Sequence, residues 1–201
     1  MQHKQLIGLV GGAGVGKDTV RRVLEENFDF EGLAFADPLR SMLCQLLDTV
    51  HEHRAHLADR DLKEQTIDAL GVSARELMQT LGDWGRARHP DWWVNILAQR
   101  VRHLHQAGVY RVVVSDVRFA NEAEYIRREG GQLWRIERTT QAVRAHASEA
   151  EHTGIACDVT IDNSGTLDDL WLRVEQQIQV PRSAWAQARD DVFAHAVRGL
   201  V

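Results

Sequence analysis

The sequence contains little cysteine and no long apolar run, and both shortages narrow the possible classes of protein. Only Cys44 and Cys157 occur in 201 residues, and neither belongs to a CxxC pair. This usage argues against a disulfide framework or a structural zinc site and is typical of reduced thiols. No apolar run approaches the roughly 18–20 residues that cross a bilayer, and the short apolar start lacks the pattern of a signal peptide. We therefore expect a cytoplasmic protein that does not insert into membranes.

The sequence also lacks an excess of positive charge and any linker-like stretch. It has 24 Lys and Arg residues against 29 Asp and Glu residues, which gives a formal net charge of −5. Broad binding to nucleic acid normally needs a basic surface, so we expect none. A chain of 201 residues without repeats or Pro/Gly/Ser-rich linkers is long enough for one substantial core. We expect a single domain over residues 1–201.

What the sequence does contain is an alternation of short β-branched runs and longer helical patterns. Strands are predicted at residues 5–10, 33–36, 110–117, 132–137 and 159–162. Helices are predicted at residues 17–27, 37–47, 73–81, 90–107, 121–129 and 166–178, with Asp37 as an N-cap and a turn-rich connection at 82–89. Residues 51–65 are expected to form a mobile, partly helical excursion. The alternation predicts a three-layer α/β/α fold with a mainly parallel sheet.

An additional amphipathic helix is predicted at residues 181–201, where apolar side chains recur on one face. Two interpretations are open. The helix packs back on the core of the same chain, or it forms the interface of a homodimer.

The glycine-rich segment at residues 11–19 fits the phosphate-binding pattern G-x-x-x-x-G-K and lies between a predicted strand and a predicted helix. Backbone N–H groups of such a loop and the following helix N-terminus hold phosphate oxygens. Lys17 would neutralise charge between the β- and γ-phosphates. Asp18 stands where Ser or Thr usually reaches Mg²⁺, and Thr19 follows it. The predicted ATP-binding residues are Gly12, Gly14, Val15, Gly16, Lys17, Asp18 and Thr19.

Several further motifs follow the loop in a fixed order. They are GKDT at residues 16–19, R-x-L-M-Q-x-L-G at 75–82, WWV at 92–94, D-x-R-x-x-x-E at 116–122, H-x-S-E at 146–149 and IDNSGTL at 161–167. With these motifs the chain resembles the bacteriophage-type deoxynucleoside monophosphate kinases, a branch of the P-loop nucleoside-monophosphate kinases. The resemblance spans about residues 6–178, and it is poor at residues 48–72.

The resemblance implies transfer of a phosphoryl group from ATP to a (deoxy)nucleoside 5′-monophosphate, which yields ADP and the diphosphate, with Mg²⁺ as cofactor. It further implies a P-loop fold with an acceptor-binding insertion at about residues 37–107, a lid at about residues 138–154 and action in the cytoplasm of a bacterial host. Two alternatives are open. The acceptor is another small phosphorylated molecule such as dephospho-coenzyme A, or the protein is a nucleotide-binding switch that is not a kinase.

Arginines are the expected partners of the two substrates' phosphates, because phosphoryl transfer depends on positioning and charge neutralisation. Arg118 follows the predicted central strand, where ligands gather in open α/β sheets. A salt bridge with Glu122 is its alternative role. Asp116 would orient Mg²⁺-bound water or an acceptor group, or else cap a helix. The predicted acceptor-binding residues are Arg40, Arg75, Gln79, Trp93, Asp116, Arg118 and Glu122.

Two of these residues have a second interpretation, and the remaining candidates lie in the lid. Gln79 and Glu122 would bond base or sugar, although Gln79 could face solvent, and Trp93 is expected in the core with base stacking as the alternative. Thr19 and Asp116, the latter through water, are the candidate metal ligands. The lid would contribute Arg138, Arg144, His146 and Glu149. The predicted catalytic residues are Lys17, Arg118 and Arg138.

Overall fold

A five-stranded parallel sheet lies at the centre of the protein. The structure, a computed structural model, describes residues 4–59, 61–138 and 154–178. In chain order the strands are Gln5–Val10 (β1), Glu31–Leu33 (β2), Thr66–Ile67 (β3), Val72–Ser73 (β4), Arg111–Val117 (β5), Gln132–Glu137 (β6) and Val159–Asp162 (β7). The sheet has the order β2-β5-β1-β6-β7, and every pairing in it is parallel. Strands β3 and β4 form a separate antiparallel hairpin.

Helices connect the strands and cover the sheet on both sides. They are Lys17–Phe28 (α1), Asp37–Thr49 (α2), Ala55–Ala58 (α3), Ala74–Arg88 (α4), Trp92–Gln106 (α5), Ala120–Arg128 (α6) and Leu167–Gln177 (α7), with a 3₁₀ turn at Leu62–Glu64. Among the residues described, none of these helices combines the length and the apolar character needed to cross a bilayer.

Alternating side chains of the central strands divide the core into two layers. Leu6 and Val10 of β1 pack with side chains of α2, α5 and α6, whereas Ile7 and Leu9 pack with α1 and α7. This two-residue period is the geometry of a strand buried on both faces. The predicted three-layer α/β/α fold with a parallel sheet is therefore confirmed.

A third, smaller apolar cluster holds the region between α2 and α4. It consists of buried side chains from α2, α3, β3 and α4, namely Leu43, Leu47, Leu57, Ile67 and Ala74. The excursion predicted at residues 51–65 is partly helical, as expected, and the burial of Leu57 attaches it to the rest of the protein.

The predicted turn at residues 82–89 is wrong, because α4 continues to Arg88. Gly82 and Gly85 lie on the buried side of this helix. A Cβ atom on Gly85 would stand 2.6 Å from Cζ2 of Trp93, so this glycine allows α5 to approach closely. A requirement for space, and not for a turn, accounts for glycine at this position.

The second strand lies earlier than predicted: it covers Glu31–Leu33 and shares only Leu33 with the predicted range 33–36. The next two backbone N–H groups donate to carboxylates and not to a neighbouring strand. Ala34 donates to Asp37 Oδ2 at 2.9 Å, and Phe35 donates to Asp116 Oδ1 at 2.7 Å. Asp37 is the first residue of α2 and not its N-cap, which is Ala36. The helix predicted at residues 181–201, and Arg144, His146 and Glu149 of the predicted lid, lie outside the described residues.

Candidate functional site

The loop between β1 and α1 has the backbone shape that phosphate binding needs. Gly16 is the N-cap of α1 with a φ of 97°, and Gly14 has a φ of 80°. Both values lie in the left-handed region, which glycine adopts without the steric penalty of a side chain. The loop therefore opens a twelve-residue helix whose first N–H groups have no partner within the helix.

Lys17 folds back over this loop. Its Nζ donates to the carbonyl oxygens of Gly11 and Gly12, each at 2.7 Å. Burial lowers the pKa of Lys17 to about 8, and the positive charge of Arg118 acts in the same direction. The ammonium group is thus held at the loop without a nucleotide. A bound phosphate would place negative charge beside it and so stabilise its charged form.

Asp18 and Thr19 follow Lys17 in the first turn of α1. The Thr19 hydroxyl lies 3.8 Å from the position that a Cβ of Gly16 would take, and Asp18 is exposed. Among the described residues, no three His, Cys, Asp or Glu side chains form a cluster that could hold a metal. The contacts of Thr19 and Asp116 with Mg²⁺ stay predictions.

Asp116, at the end of β5, holds the start of α2. Its two carboxylate oxygens accept hydrogen bonds from the N–H groups of Phe35 at 2.7 Å and Ala36 at 3.0 Å. Burial raises the pKa of Asp116, against the opposing effect of these hydrogen bonds and of Arg40 and Arg118. With both oxygens engaged, this side chain fits a metal contact through water better than direct ligation.

A cavity of about 470 Å³ lies beside Asp116, between the sheet edge and the helices α2, α4 and α5. All seven residues predicted to bind the acceptor line it. They come from four helices and from the end of β5. The fold thus brings together side chains as far apart in the sequence as Arg40 and Glu122, which are separated by 82 positions. Their contact with an acceptor stays a prediction.

Three cations of this cavity differ in how they are held. Arg40 forms an ion pair with Asp37 at 3.3 Å, and Arg75 pairs with Glu64. Within the described part of the chain, the Arg118 guanidinium forms no hydrogen bond or ion pair. Its charge lowers the pKa values of both Lys17 and Lys63. Arg118 therefore lies within electrostatic reach of the phosphate loop and of the cavity.

Glu122 accepts hydrogen bonds from backbone N–H groups and does not bond the Arg118 side chain. Its Oε2 accepts the N–H groups of Arg118 at 2.8 Å and Phe119 at 3.1 Å, which caps the start of α6. The alternative salt bridge with Arg118 is therefore not formed. Glu122 is only 5% exposed, and this burial raises its pKa to about 8.

We expect Glu122→Gln to change how the free energy of unfolding depends on pH. A carboxyl with a folded pKa of about 8 and an ordinary value of 4.5 binds more protons in the folded state, so its stabilising effect is lost as pH rises from about 5 to 8. Glutamine does not titrate. Urea midpoints at pH 5 and pH 8 should therefore fall more for the natural protein than for Glu122→Gln.

The matched control for this measurement is Glu124→Gln, an exposed position on the same helix. It should follow the natural protein at both pH values. Parallel pH profiles for the natural protein and Glu122→Gln would show that Glu122 titrates normally.

Trp93 belongs to the core, which was the first of its two interpretations. Its side chain is 4% exposed, and its Nε1 donates to the carbonyl oxygen of Gly82 at 2.9 Å. It forms part of the cavity wall, but its burial leaves little ring surface for a base. Gln79 also lines the cavity. Arg138 directly follows β6 at the same sheet edge and does not contribute to the cavity lining.

Sequence reasoning missed five polar or aromatic residues of the cavity: Phe35, Lys63, Asp83, Arg86 and Phe119. Arg86 pairs with Asp83 at 2.7 Å, and its guanidinium lies 4.4 Å from the centre of the Phe119 ring. Extending the predicted helix beyond residue 81 would have placed Asp83 and Arg86 on the same face as Gln79. Lys63 comes from the segment where the resemblance is poor, and nothing in its neighbours signals the role.

Comparison with known proteins gives the same family as the motifs. A family model described as deoxynucleotide monophosphate kinase matches residues 60–174. A protein of Acanthamoeba polyphaga mimivirus, assigned provisionally as a deoxynucleotide monophosphate kinase, is 31% identical over 182 residues, or 84% of this chain and 93% of the viral protein.

Solved structures add a likeness of fold. A provisionally assigned kinase from Chloroflexus aurantiacus matches with a TM-score of 0.51 and 16% identity, over 89% of this chain and 98% of the other. A dephospho-CoA kinase from Campylobacter jejuni has a TM-score of 0.44 and 15% identity over 87% and 95%, which is too distant to bear on the acceptor. Because the family model matches more than half of the chain and the viral relative is 31% identical over 84% of it, the chain belongs to the deoxynucleotide monophosphate kinase family.

Proposed function

We propose that this nucleotide kinase transfers the γ-phosphoryl group of ATP to a deoxynucleoside 5′-monophosphate and releases ADP and the diphosphate. One observation carries the proposal. Arg118 lines the cavity, and its positive charge also acts on Lys17 at the phosphate loop, so a single guanidinium lies within electrostatic reach of both places where phosphates would bind.

The charges of the cavity suit a phosphorylated acceptor. Arg40, Lys63, Arg75 and Arg118 all line it. Burial lowers the pKa of Lys63, and the charges of the three arginines act in the same direction. Asp37 and Glu64 neutralise part of this positive charge through ion pairs with Arg40 and Arg75, and an incoming dianion would neutralise the rest. The arrangement supports a kinase over a simple nucleotide switch, which needs no second anion site.

The chemistry requires no strong general base. A phosphate monoester is largely a dianion near pH 7, because its second pKa is about 6, and its oxygen is already a nucleophile. The protein therefore has to bring two anions together and neutralise the charge that spreads over the transferred group. Lys17 at the loop and Arg118 beside the cavity are the side chains placed for that work.

Mg²⁺ belongs to this proposal as the cofactor that arrives with ATP. Thr19 would hold it directly, and Asp116 would contact it through water. When bound, the ion neutralises phosphate charge and orients the phosphoryl groups. We expect chelation of the metal to abolish turnover without unfolding the protein, since the described core is apolar and contains no metal cluster.

The proposal is tested by measuring ADP release with MgATP and a panel of acceptors. We expect turnover with deoxynucleoside monophosphates that exceeds the acceptor-free rate by at least about 10³-fold, because acceptor-dependent transfer is what the paired anion sites would accelerate. Activity on dephospho-coenzyme A alone would contradict the proposed acceptor. Slow hydrolysis that no acceptor stimulates would contradict the kinase assignment of this site and favour the switch.

A further inference from the structure

The turn after β7 touches the phosphate loop, although 148 residues separate them in the chain. Asn163 follows β7, is 7% exposed, and donates from Nδ2 to the carbonyl oxygen of Val15 at 2.9 Å. Its backbone N–H donates to the carbonyl oxygen of Glu137 at 2.7 Å, which fixes Asn163 to the end of β6. The carboxyl ends of β6 and β7 thus hold the Val15 carbonyl group of the loop.

This hydrogen bond determines where a neighbouring N–H group points. In a planar trans peptide the C=O and the N–H point in opposite directions, and the described residues contain no cis peptide. When the Val15 carbonyl is directed at Asn163, the Gly16 N–H is directed away from it. That N–H belongs to the N-cap residue of α1, where an anion would bind.

Position 16, which faces the side-chain amide of Asn163, requires glycine for a second reason besides its positive φ. A Cβ atom on Gly16 would lie 2.0 Å from Nδ2 of Asn163, which is far inside van der Waals contact. Gly16 and Asn163 therefore form one unit, in which the absence of a side chain makes room for the amide that holds the loop.

We propose that Asn163 is a positioning residue for nucleotide binding, because it holds the Val15–Gly16 peptide with the Gly16 N–H directed at the phosphate. The motif at residues 161–167 otherwise indicates only a closing strand and turn. The inference depends on the proposed function in one respect, namely that the loop binds the phosphates of a nucleotide.

The decisive variant is Asn163→Asp, which keeps the size of the side chain but replaces the N–H donor with a carboxylate oxygen. That oxygen would repel the Val15 carbonyl, and the peptide would lose its orientation. We expect the Kd for MgATP, measured by calorimetry, to rise about tenfold or more, since misdirecting one hydrogen bond to a charged group has an effect of that order. The KM for ATP should rise likewise, while the KM for the acceptor stays unchanged.

The matched control is Asn27→Asp. Asn27 is also buried, at 9% exposure, and its Nδ2 also donates to a backbone carbonyl, that of Val23 at 3.0 Å. It lies ten residues along α1 from Lys17, or about 15 Å from the loop at the helical rise. We expect it to lower the melting temperature and to leave the Kd for MgATP unchanged.

A second readout does not depend on nucleotide. The ¹H–¹⁵N dipolar coupling of the Gly16 amide, measured by NMR in the weakly aligned ligand-free protein, reports the direction of this N–H and should change in Asn163→Asp and not in Asn27→Asp. Should Asn163→Asp fail to fold, Asn163→Ala removes the donor without adding a charge and has the same expected outcomes.

The outcomes separate this inference from the proposed function. An unchanged Kd in a folded Asn163 variant overturns the inference, and so does an equal rise in Kd for the Asn27 control. If the natural protein binds no MgATP, the proposed function fails. In that case the Gly16 dipolar coupling decides the matter alone: a changed value supports the hold on the peptide, and an unchanged value refutes it.

Discussion

Replacement of Lys17 by alanine is expected to lower kcat/KM for phosphoryl transfer by about 10³-fold or more while the protein stays folded. The Lys17 ammonium is the one cation bonded to the loop itself in the described structure, through the carbonyl oxygens of Gly11 and Gly12. Its removal should not unfold the protein, because a buried ammonium with a lowered pKa does not stabilise the ligand-free state.

The measurement is a coupled assay of ADP release, with the melting temperature recorded for each variant. Lys4→Ala removes the same charge at an exposed position before β1, at the sheet edge opposite the loop, and should behave like the natural protein. Near-normal turnover of a folded Lys17→Ala protein would show that the loop at residues 11–19 does not hold the reacting phosphates.

Replacement of Arg118 by alanine is expected to lower kcat by about 10³-fold with little change in the Kd for MgATP. Among the described residues this guanidinium forms no hydrogen bond or ion pair, and its charge acts on Lys17, Lys63 and Asp116. An interaction that forms only when both substrates are present affects the rate more than the binding of either one. Arg118→Lys keeps the charge but not the bidentate geometry, so it should recover only part of the loss.

Single-turnover kinetics with saturating MgATP and acceptor will separate this effect from binding. Arg102→Ala is the control, since Arg102 is an exposed arginine on α5 whose hydrogen bond among the described residues goes to the carbonyl oxygen of Ala98 in its own helix. If Arg118→Ala instead raised only the KM for the acceptor, Arg118 would be a binding residue and would have no part in the transition state.

Much of the fold could be predicted from the sequence because its signals are local. The predicted bounds of β1, β6 and β7 agree with the structure. β1 is an apolar run that ends at the glycine-rich loop, β6 begins after two glycines, and β7 ends before an Asn-Ser-Gly turn. The capping box of Thr166 and Asp169 marks the start of α7 for the same reason. The gathering of seven predicted residues around one cavity follows from the parallel sheet, in which the strands end at a common edge.

The errors arose where distant residues decide the local structure. Gly82 and Gly85 resemble a turn in the sequence, but they lie within a helix because the Trp93 side chain packs against them. Residues 34–36 resemble a strand, but their N–H groups bond Asp37 and Asp116. The contribution of Lys63 depends on the packing of the whole segment before β3, for which no short pattern is diagnostic.

The third apolar cluster, beneath the segment between α2 and α4, gives the protein a modular construction. Met78 and Leu81 contact both this cluster and the larger core, so they act as the joint between the two parts. The part that carries Lys63 and Arg75 can therefore be remodelled by substitutions around Leu57 and Ile67 while the loop at residues 11–19 keeps its geometry. For the proposed kinase, such a division would allow the acceptor preference to change while the phosphate loop stays the same.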